Sequence, residues 1–98
     1  MNKVVKPNVK LLAKGDKFNA KQMGAKAGEL LPKHIASIES VVVVMEGECI
    51  LNIDGTEHAL KQGDCFVVPP KIVHQIRAVE DFRAVHVMTN DIEFEFFK

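Results

Sequence analysis

Several features that would assign a function class at once are scarce or missing in this chain. Its 98 residues contain no Trp, no Tyr and only two Cys. Thirteen Lys and Arg residues balance thirteen Asp and Glu residues, so the formal net charge is zero. Proteins that hold nucleic acid by its phosphates carry a basic excess, and the lack of one here predicts that the chain does not bind nucleic acid.

Long apolar runs are also missing. The longest, residues 41–45, has the length of one β-strand, whereas a membrane-spanning helix needs about 20 apolar residues. The first residues lack the apolar stretch of a signal peptide, so we expect a cytoplasmic protein that does not enter a membrane. Cys49 and Cys65 form no CxxC motif, and in that compartment we expect two reduced, half-buried thiols.

Short β-branched segments separated by turn residues recur along the chain, while the 3.6-residue periodicity of an amphipathic helix is absent. Asp54-Gly55 suits a two-residue type I′ hairpin because both residues tolerate positive φ. Pro69-Pro70 cannot donate backbone hydrogen bonds and must end a strand. The pattern predicts about eight to ten short strands in an antiparallel sandwich or barrel. The predicted strands cover residues 9–13, 18–26, 34–36, 40–45, 49–53, 56–60, 65–68, 73–78, 82–88 and 91–97.

The segment Val41-Val42-Val43-Val44 is apolar on both faces of its predicted strand, because side chains alternate between the two faces. One face can cover the interior of a small barrel. The other face also needs a cover, and a chain of this length has little spare structure to supply it. We therefore expect a homodimer in which an outer sheet face or the N-terminal strand is buried.

Two glycine-punctuated segments each place a histidine at the edge of an apolar strand. They are Gly28-x5-His34 followed by Ser40-x6-Gly47, and Gly63-x5-Pro69-x4-His74. This spacing resembles the two motifs of the cupin family, small β-barrels that usually hold a divalent metal and are commonly dimers. The resemblance implies an all-β fold, a cupin-type double-stranded β-helix (jelly-roll) barrel with antiparallel strands. We expect one such domain over residues 1–98, with its core at about residues 9–90.

The chain departs from the family pattern at the metal ligands. Where the first motif of the family has a second histidine and a glutamate, this sequence has Ala36 and Ser40. The resemblance therefore implies a partial site of His34 and His74, at which a divalent transition metal such as Zn, Ni, Fe or Mn would bind weakly. His86 is a candidate third ligand, but a one-residue change of strand register would turn its side chain out of the barrel.

In the cupin register, His34, Ala36, Ser40 and His74 line one pocket. The first function hypothesis is a small-molecule-binding barrel protein with weak or absent metal binding, in which the imidazoles are neutral and hydrogen-bonded. The alternative is a metal-dependent enzyme of the dioxygenase or sugar isomerase type that uses His34 and His74, with His86 as a third ligand. Motifs such as GxSxG and HExxH are absent, so the sequence assigns no catalytic residue.

Overall fold

The computed structural model describes residues 3–97, in which all regular structure is β-strand. No helix long and apolar enough to cross a bilayer occurs in this part of the chain. The strands are β1 (Lys3–Val4), β2 (Lys10–Lys14), β3 (Phe18–Ala25), β4 (Glu29–Leu30), β5 (His34–Ala36), β6 (Ser40–Glu46), β7 (Glu48–Ile53), β8 (Thr56–Lys61), β9 (Cys65–Val68), β10 (His74–Ala78), β11 (Phe82–Thr89) and β12 (Phe94–Phe96). The predicted all-β class is confirmed.

These strands form two sheets that curl into a barrel. The five-stranded sheet has the order β2-β3-β11-β6-β9, and every pairing in it is antiparallel. In the seven-stranded sheet, β10 pairs with β7 on one side and with the short strands β4 and β5 on the other. Neighbours such as β3, β11 and β6 are distant in sequence, which makes the fold a double-stranded β-helix (jelly roll) and not a series of sequential hairpins.

The connections follow the turn residues of the sequence. Between β7 and β8, Asp54 has a φ of 49° and Gly55 a φ of 89°, the positive values that the predicted type I′ turn requires. The side-chain oxygen of Asn52 accepts a hydrogen bond from the Gly55 backbone N–H at 2.9 Å. After β9 the chain leaves the sheet at two prolines and Lys71, which has a φ of 62°. This connection places His74 at the first position of β10.

The core lies between the inner faces of the two sheets. Alternation along β6 places Val42 and Val44 inside, where they are 2% and 1% exposed, and turns Val41 and Val43 outward, where they are half-buried. Complete burial of a side chain of this size contributes about 1.5–3 kcal/mol to stability. The rest of the buried cluster is Leu31, Cys49, Leu51, Leu60, Val68, Ile76, Ala78, Phe82 and Ala84.

The two cysteines differ in burial, and both are free thiols. Cys49 faces inward from β7, and burial, with a smaller contribution from Glu48, raises the pKa of its thiol to about 11. Cys65 is exposed on β9. The expectation of two half-buried thiols was therefore wrong, because one of the two strand positions faces the core and the other faces outward.

Candidate ligand-binding site

A cavity of about 380 Å³ opens between the two sheets. Its volume is near the lower end of the ~300–1,000 Å³ range that is typical of small-molecule sites. Most of the wall is apolar, and its polar side chains are three histidines and one lysine. The lining residues are Pro7, Val9, Lys21, Met23, Leu31, Pro32, His34, Val42, Leu51, Val68, His74, Ile76, His86, Met88, Phe94 and Phe96.

His34 and His74 lie side by side on the seven-stranded sheet. They are directly opposite each other in the β5–β10 pairing, and their ring centroids are 4.1 Å apart with the planes at 66°. Each Nδ1 lies 3.2 Å from the backbone oxygen two residues earlier, that of Pro32 or Ile72. Because a carbonyl oxygen only accepts, each Nδ1 carries the proton of the neutral ring and each Nε2 has a free lone pair. Within residues 3–97 neither Nε2 has a hydrogen-bonding partner, so both can accept a hydrogen bond from a bound molecule.

His86 faces the same cavity from the five-stranded sheet. Its pairing partners are Val42 on β6 and Lys21 on β3. Since Val42 is a core residue, this register places the His86 side chain on the inner face. The Nε2 atom of His86 lies 2.6 Å from the hydroxyl oxygen of Ser40. The sequence left the orientation of His86 open, and the strand register directs its side chain into the barrel.

Burial favours the uncharged form of all three cavity histidines. Desolvation lowers the pKa of His34, and a backbone hydrogen bond opposes part of that change. The pKa of His74 is lowered by desolvation and, to a smaller extent, by His34. Desolvation, followed by the nearby charges of His34, His74 and Lys21, lowers the pKa of His86 to about 4. Near neutral pH the three rings therefore act as neutral hydrogen-bonding groups.

Two residues that were expected in the pocket do not line the cavity. Ala36 is 1% exposed and lies opposite Phe94 in the β5–β12 pairing, so the larger Phe94 side chain forms the wall there. Ser40 is 4% exposed, and its hydroxyl forms a hydrogen bond with His86. Of the four residues expected in the pocket, His34 and His74 are among those that line the cavity, whereas Ala36 and Ser40 are not.

The wall includes residues that were not identified from the sequence as part of the site, among them two aromatic residues and a lysine. Phe94 and Phe96 project from the edge strand β12, with ring centroids 5.5 Å and 5.1 Å from that of His34. Their alternation was visible in the sequence, but the strand against which they pack was not. Lys21 lies directly opposite His86 in the β3–β11 pairing. A lysine in a polar strand gives no signal of facing inward until the register is known.

Among residues 3–97, no carboxylate lines the cavity wall, and Lys21 is the only lining residue with a formal charge. Across residues 3–97 there is no group of three or more His, Cys, Asp or Glu side chains arranged to hold a metal ion. The electrostatic character of the cavity is therefore set by one ammonium group among neutral imidazoles and apolar side chains.

A sequence model of the cupin domain matches residues 22–89. This chain belongs to the cupin family. The cupin is 34% identical over 50 residues to an uncharacterized protein of Methanocaldococcus jannaschii. That match covers 51% of this chain and 39% of the Methanocaldococcus protein. The chain therefore spans well under two thirds of the length of that relative.

Solved structures share the fold of this cupin at low sequence identity. An uncharacterized conserved protein with a double-stranded β-helix domain from Klebsiella pneumoniae superposes with a TM-score of 0.84 at 20% identity, covering 95% of this chain and 85% of that one. A variant of salicylate 1,2-dioxygenase from Pseudoaminobacter salicylatoxidans, in complex with gentisate, superposes with a TM-score of 0.80 at 17% identity. The superposition covers 92% of this chain but only 29% of the dioxygenase chain. These similarities establish the fold.

Cupins often hold a metal, and the donor set of this cavity fits one poorly. A catalytic zinc site has three protein ligands and an open position. Here two imidazoles offer a free Nε2, the third is bonded to Ser40, and no carboxylate is present to offset the charge of a cation. The ammonium group of Lys21 on the facing wall adds repulsion. To bind a metal through Nε2, His86 would have to give up its hydrogen bond to Ser40.

Proposed function

We propose that this cupin binds a small molecule in the barrel cavity and binds divalent metal there weakly or not at all. The observation that carries the proposal is the cavity itself, an apolar chamber of about 380 Å³ with polar groups concentrated at a few points. Such a combination of apolar wall and few oriented polar groups is typical of small-molecule sites.

The polar groups favour a ligand that donates a hydrogen bond. His34 and His74 present adjacent Nε2 lone pairs, because backbone carbonyls hold the proton on each Nδ1. A hydroxyl or N–H group of a ligand can satisfy these acceptors, while its apolar part lies against side chains such as Phe94 and Phe96. Two side-by-side acceptors that lack protein partners are costly unless water or a ligand pairs with them.

One observation favours the second candidate, a metal-dependent enzyme. His34, His74 and His86 come from three strands and line the same cavity, which is the minimum number of ligands for a catalytic metal site. The hydrogen bond between His86 and Ser40 disfavours this second candidate, because it occupies one of the two ring nitrogens through which an imidazole can bind a metal.

Metal titration of the wild type and of Ser40→Ala tests the proposal. We expect the purified, dialysed wild type to lack stoichiometric metal and to bind Ni²⁺ or Zn²⁺ weakly in calorimetry. Removal of the hydroxyl frees His86 Nε2, and we expect affinity to rise by about tenfold or more, the size of effect that groups next to metal ligands have. Ser37→Ala is the matched control, because the Ser37 hydroxyl bonds to the backbone of Glu93 and to no histidine.

Ligand binding is measured separately, by NMR of methyl groups that line the cavity. Val42, Leu51 and Met88 supply suitable probes on both sheets. We expect members of a library of small aromatic and aliphatic compounds to shift these resonances at submillimolar to millimolar concentration, the range of weak small-ligand binding. Stoichiometric metal in the wild type would support the enzyme, and a cavity that no compound perturbs would contradict the binding proposal.

A further inference from the structure

Lys21 is a charged side chain in a cavity wall whose other described residues are neutral. It lies on the inner face of the five-stranded sheet, because its pairing partner His86 faces the cavity. Its side chain is half-buried. The ion pairs among residues 3–97 are Arg77 with Glu57 and Arg83 with Glu46, so Lys21 has no carboxylate partner in this part of the chain.

The Nζ atom of Lys21 is not among the buried unpartnered polar atoms of residues 3–97, so the ammonium group is accessible to water or to a bound anion. Within the part of the chain that the structure describes, no Asp or Glu lines the cavity, so these residues supply no such anion there. The charge of Lys21 also acts on the site, since it is one of the causes that lower the pKa of His86. A negatively charged group of a ligand would pair with this ammonium group and offset its effect on His86.

The two walls of the cavity carry complementary polar groups. The five-stranded sheet presents Lys21, while the seven-stranded sheet presents the paired Nε2 acceptors of His34 and His74, with Phe94 and Phe96 beside them. Facing sheets in a sandwich lie about 10 Å apart, so one small molecule can contact both walls.

We propose that the ligand of this cupin is a small monocarboxylic acid, with its carboxylate paired to Lys21 Nζ and its apolar body packed between the walls. This inference rests on the proposed small-molecule site and specifies its ligand class. Of the described residues that line the cavity, a single lysine offers one positive charge, and none is an arginine that could form the bidentate contacts that favour phosphate. The charge of the wall therefore matches one carboxylate better than a dianion.

The test compares an acid with its uncharged isostere on matched variants. The probes are 3-(4-hydroxyphenyl)propionate, its primary amide 3-(4-hydroxyphenyl)propanamide, and 4-hydroxyphenyl phosphate, titrated while the cavity methyl groups are observed by NMR. Each carries a phenolic hydroxyl that can donate to the His34 or His74 ring, so the acid and its amide differ only in the group offered to Lys21. For the wild type we expect the acid to bind about tenfold or more tightly than the amide, because hydrogen bonds to charged groups are the stronger class. Lys21→Met keeps an unbranched apolar stem, and with it the two affinities should become equal.

Two further variants make the comparison specific. Lys21→Arg keeps the charge and should keep the preference for the acid. Lys14→Met removes an exposed lysine of β2 that does not line the cavity, and it should leave the preference unchanged. The same spectra report whether each variant is folded.

The outcomes separate this inference from the function on which it rests. If acid and amide shift the cavity methyl groups with equal affinity in the wild type, or if Lys21→Met keeps the preference, the cavity binds small molecules and the role of Lys21 is refuted. In that case the aliphatic part of the Lys21 side chain covers apolar surface, while its ammonium group stays in water. Tighter binding of 4-hydroxyphenyl phosphate than of the acid would refute the carboxylate assignment. If no probe shifts the cavity resonances, both proposals fail.

Discussion

His86 combines the inward orientation, the hydrogen bond to Ser40 and a pKa well below that of an ordinary histidine. Its pKa falls from 6.5 to about 4, so between these values the unfolded chain binds a proton that the folded protein does not. Stability from this residue is therefore fully present above pH 6.5 and is lost as the pH falls toward 4. At about 1.4 kcal/mol per pKa unit, the loss amounts to about 3 kcal/mol.

Urea denaturation at a series of pH values checks this prediction. The free energy of unfolding should decline through the mildly acidic range, and the decline should be smaller in His86→Gln, which has no titrating ring. Desolvation of His34 and His74 lowers their pKa values as well, so part of the decline should remain in that variant. An NMR titration that returned the ordinary pKa for His86 would contradict a buried, neutral ring at this position.

The site could be predicted only in part from single residues. The glycine-to-histidine spacings identified His34 and His74 as candidates, and they are adjacent in the structure. The orientation of His86 and of Lys21 depends on how β11 pairs with β3 and β6, and a one-residue change in that register would turn both side chains outward. Ala36 was expected to line the pocket, but a strand near the C-terminus covers that position with an aromatic ring.

At the scale of elements, the connection between β6 and β7 meets the connection between β10 and β11 at Gly47. The residue has a φ of +77°, and a Cβ atom there would overlap the backbone oxygen of Asp81 and lie 2.9 Å from the Cα of Phe82. Both neighbours are backbone atoms, which cannot move aside as the end of a flexible side chain could. The glycine thus permits two connections from different parts of the sequence to touch.

Gly47→Ala should destabilise the fold more than an ordinary turn substitution does. A left-handed conformation costs an L-residue about 1–2 kcal/mol, and displacement of packed backbone adds about 1–3 kcal/mol. Gly63→Ala is the matched control, because its φ is +91° and an added Cβ would meet no atom within 4 Å beyond the adjoining residues. Urea denaturation should show the larger loss for Gly47→Ala, and equal losses would contradict the proposed contact.

Elements with strong local signals were predicted well, and elements defined by distant partners were not. The strands at 34–36 and 65–68 have the predicted bounds, as β5 and β9, and the Asp54-Gly55 turn has the predicted positive φ values. The short parallel pair of β1 and β4 was missed, because two-residue strands exist only through their neighbours. The final predicted strand, 91–97, is limited to Phe94–Phe96, where β12 pairs with β5.

At the scale of the whole molecule, the outer face of the five-stranded sheet is an apolar surface. Pairing places Val43 of β6 between Val85 of β11 and Cys65 of β9, and places Val41 between Val87 and Val67. Val67 is 53% exposed, and the other four valines are half-buried. Contiguous apolar surface of this kind on a small protein commonly marks an interaction site. A second copy of the chain presents the same surface and can cover it symmetrically.

We therefore expect a homodimer that buries this face, and Val43→Asp should shift the equilibrium toward the monomer. Val43 lies near the centre of the surface and points away from the core, so the substitution should leave the barrel folded. In the dimer it would bury a carboxylate without a partner, which is strongly unfavourable. Sedimentation equilibrium at micromolar concentration should give twice the monomer mass for the wild type and a lower average mass for the variant.

Val79→Asp is the control, since Val79 is 39% exposed in the connection between β10 and β11 and lies outside the sheet face. It introduces the same charge and should leave the dimer intact. A wild type that sediments only as a monomer would refute the dimer. A wild-type dimer that Val43→Asp does not weaken would place the interface elsewhere, for instance at the exposed edge strand β2, where Leu11 and Leu12 are 54% and 45% exposed. Because an edge strand pairs through its backbone, substitution of the sheet-face valines would then have no effect on association.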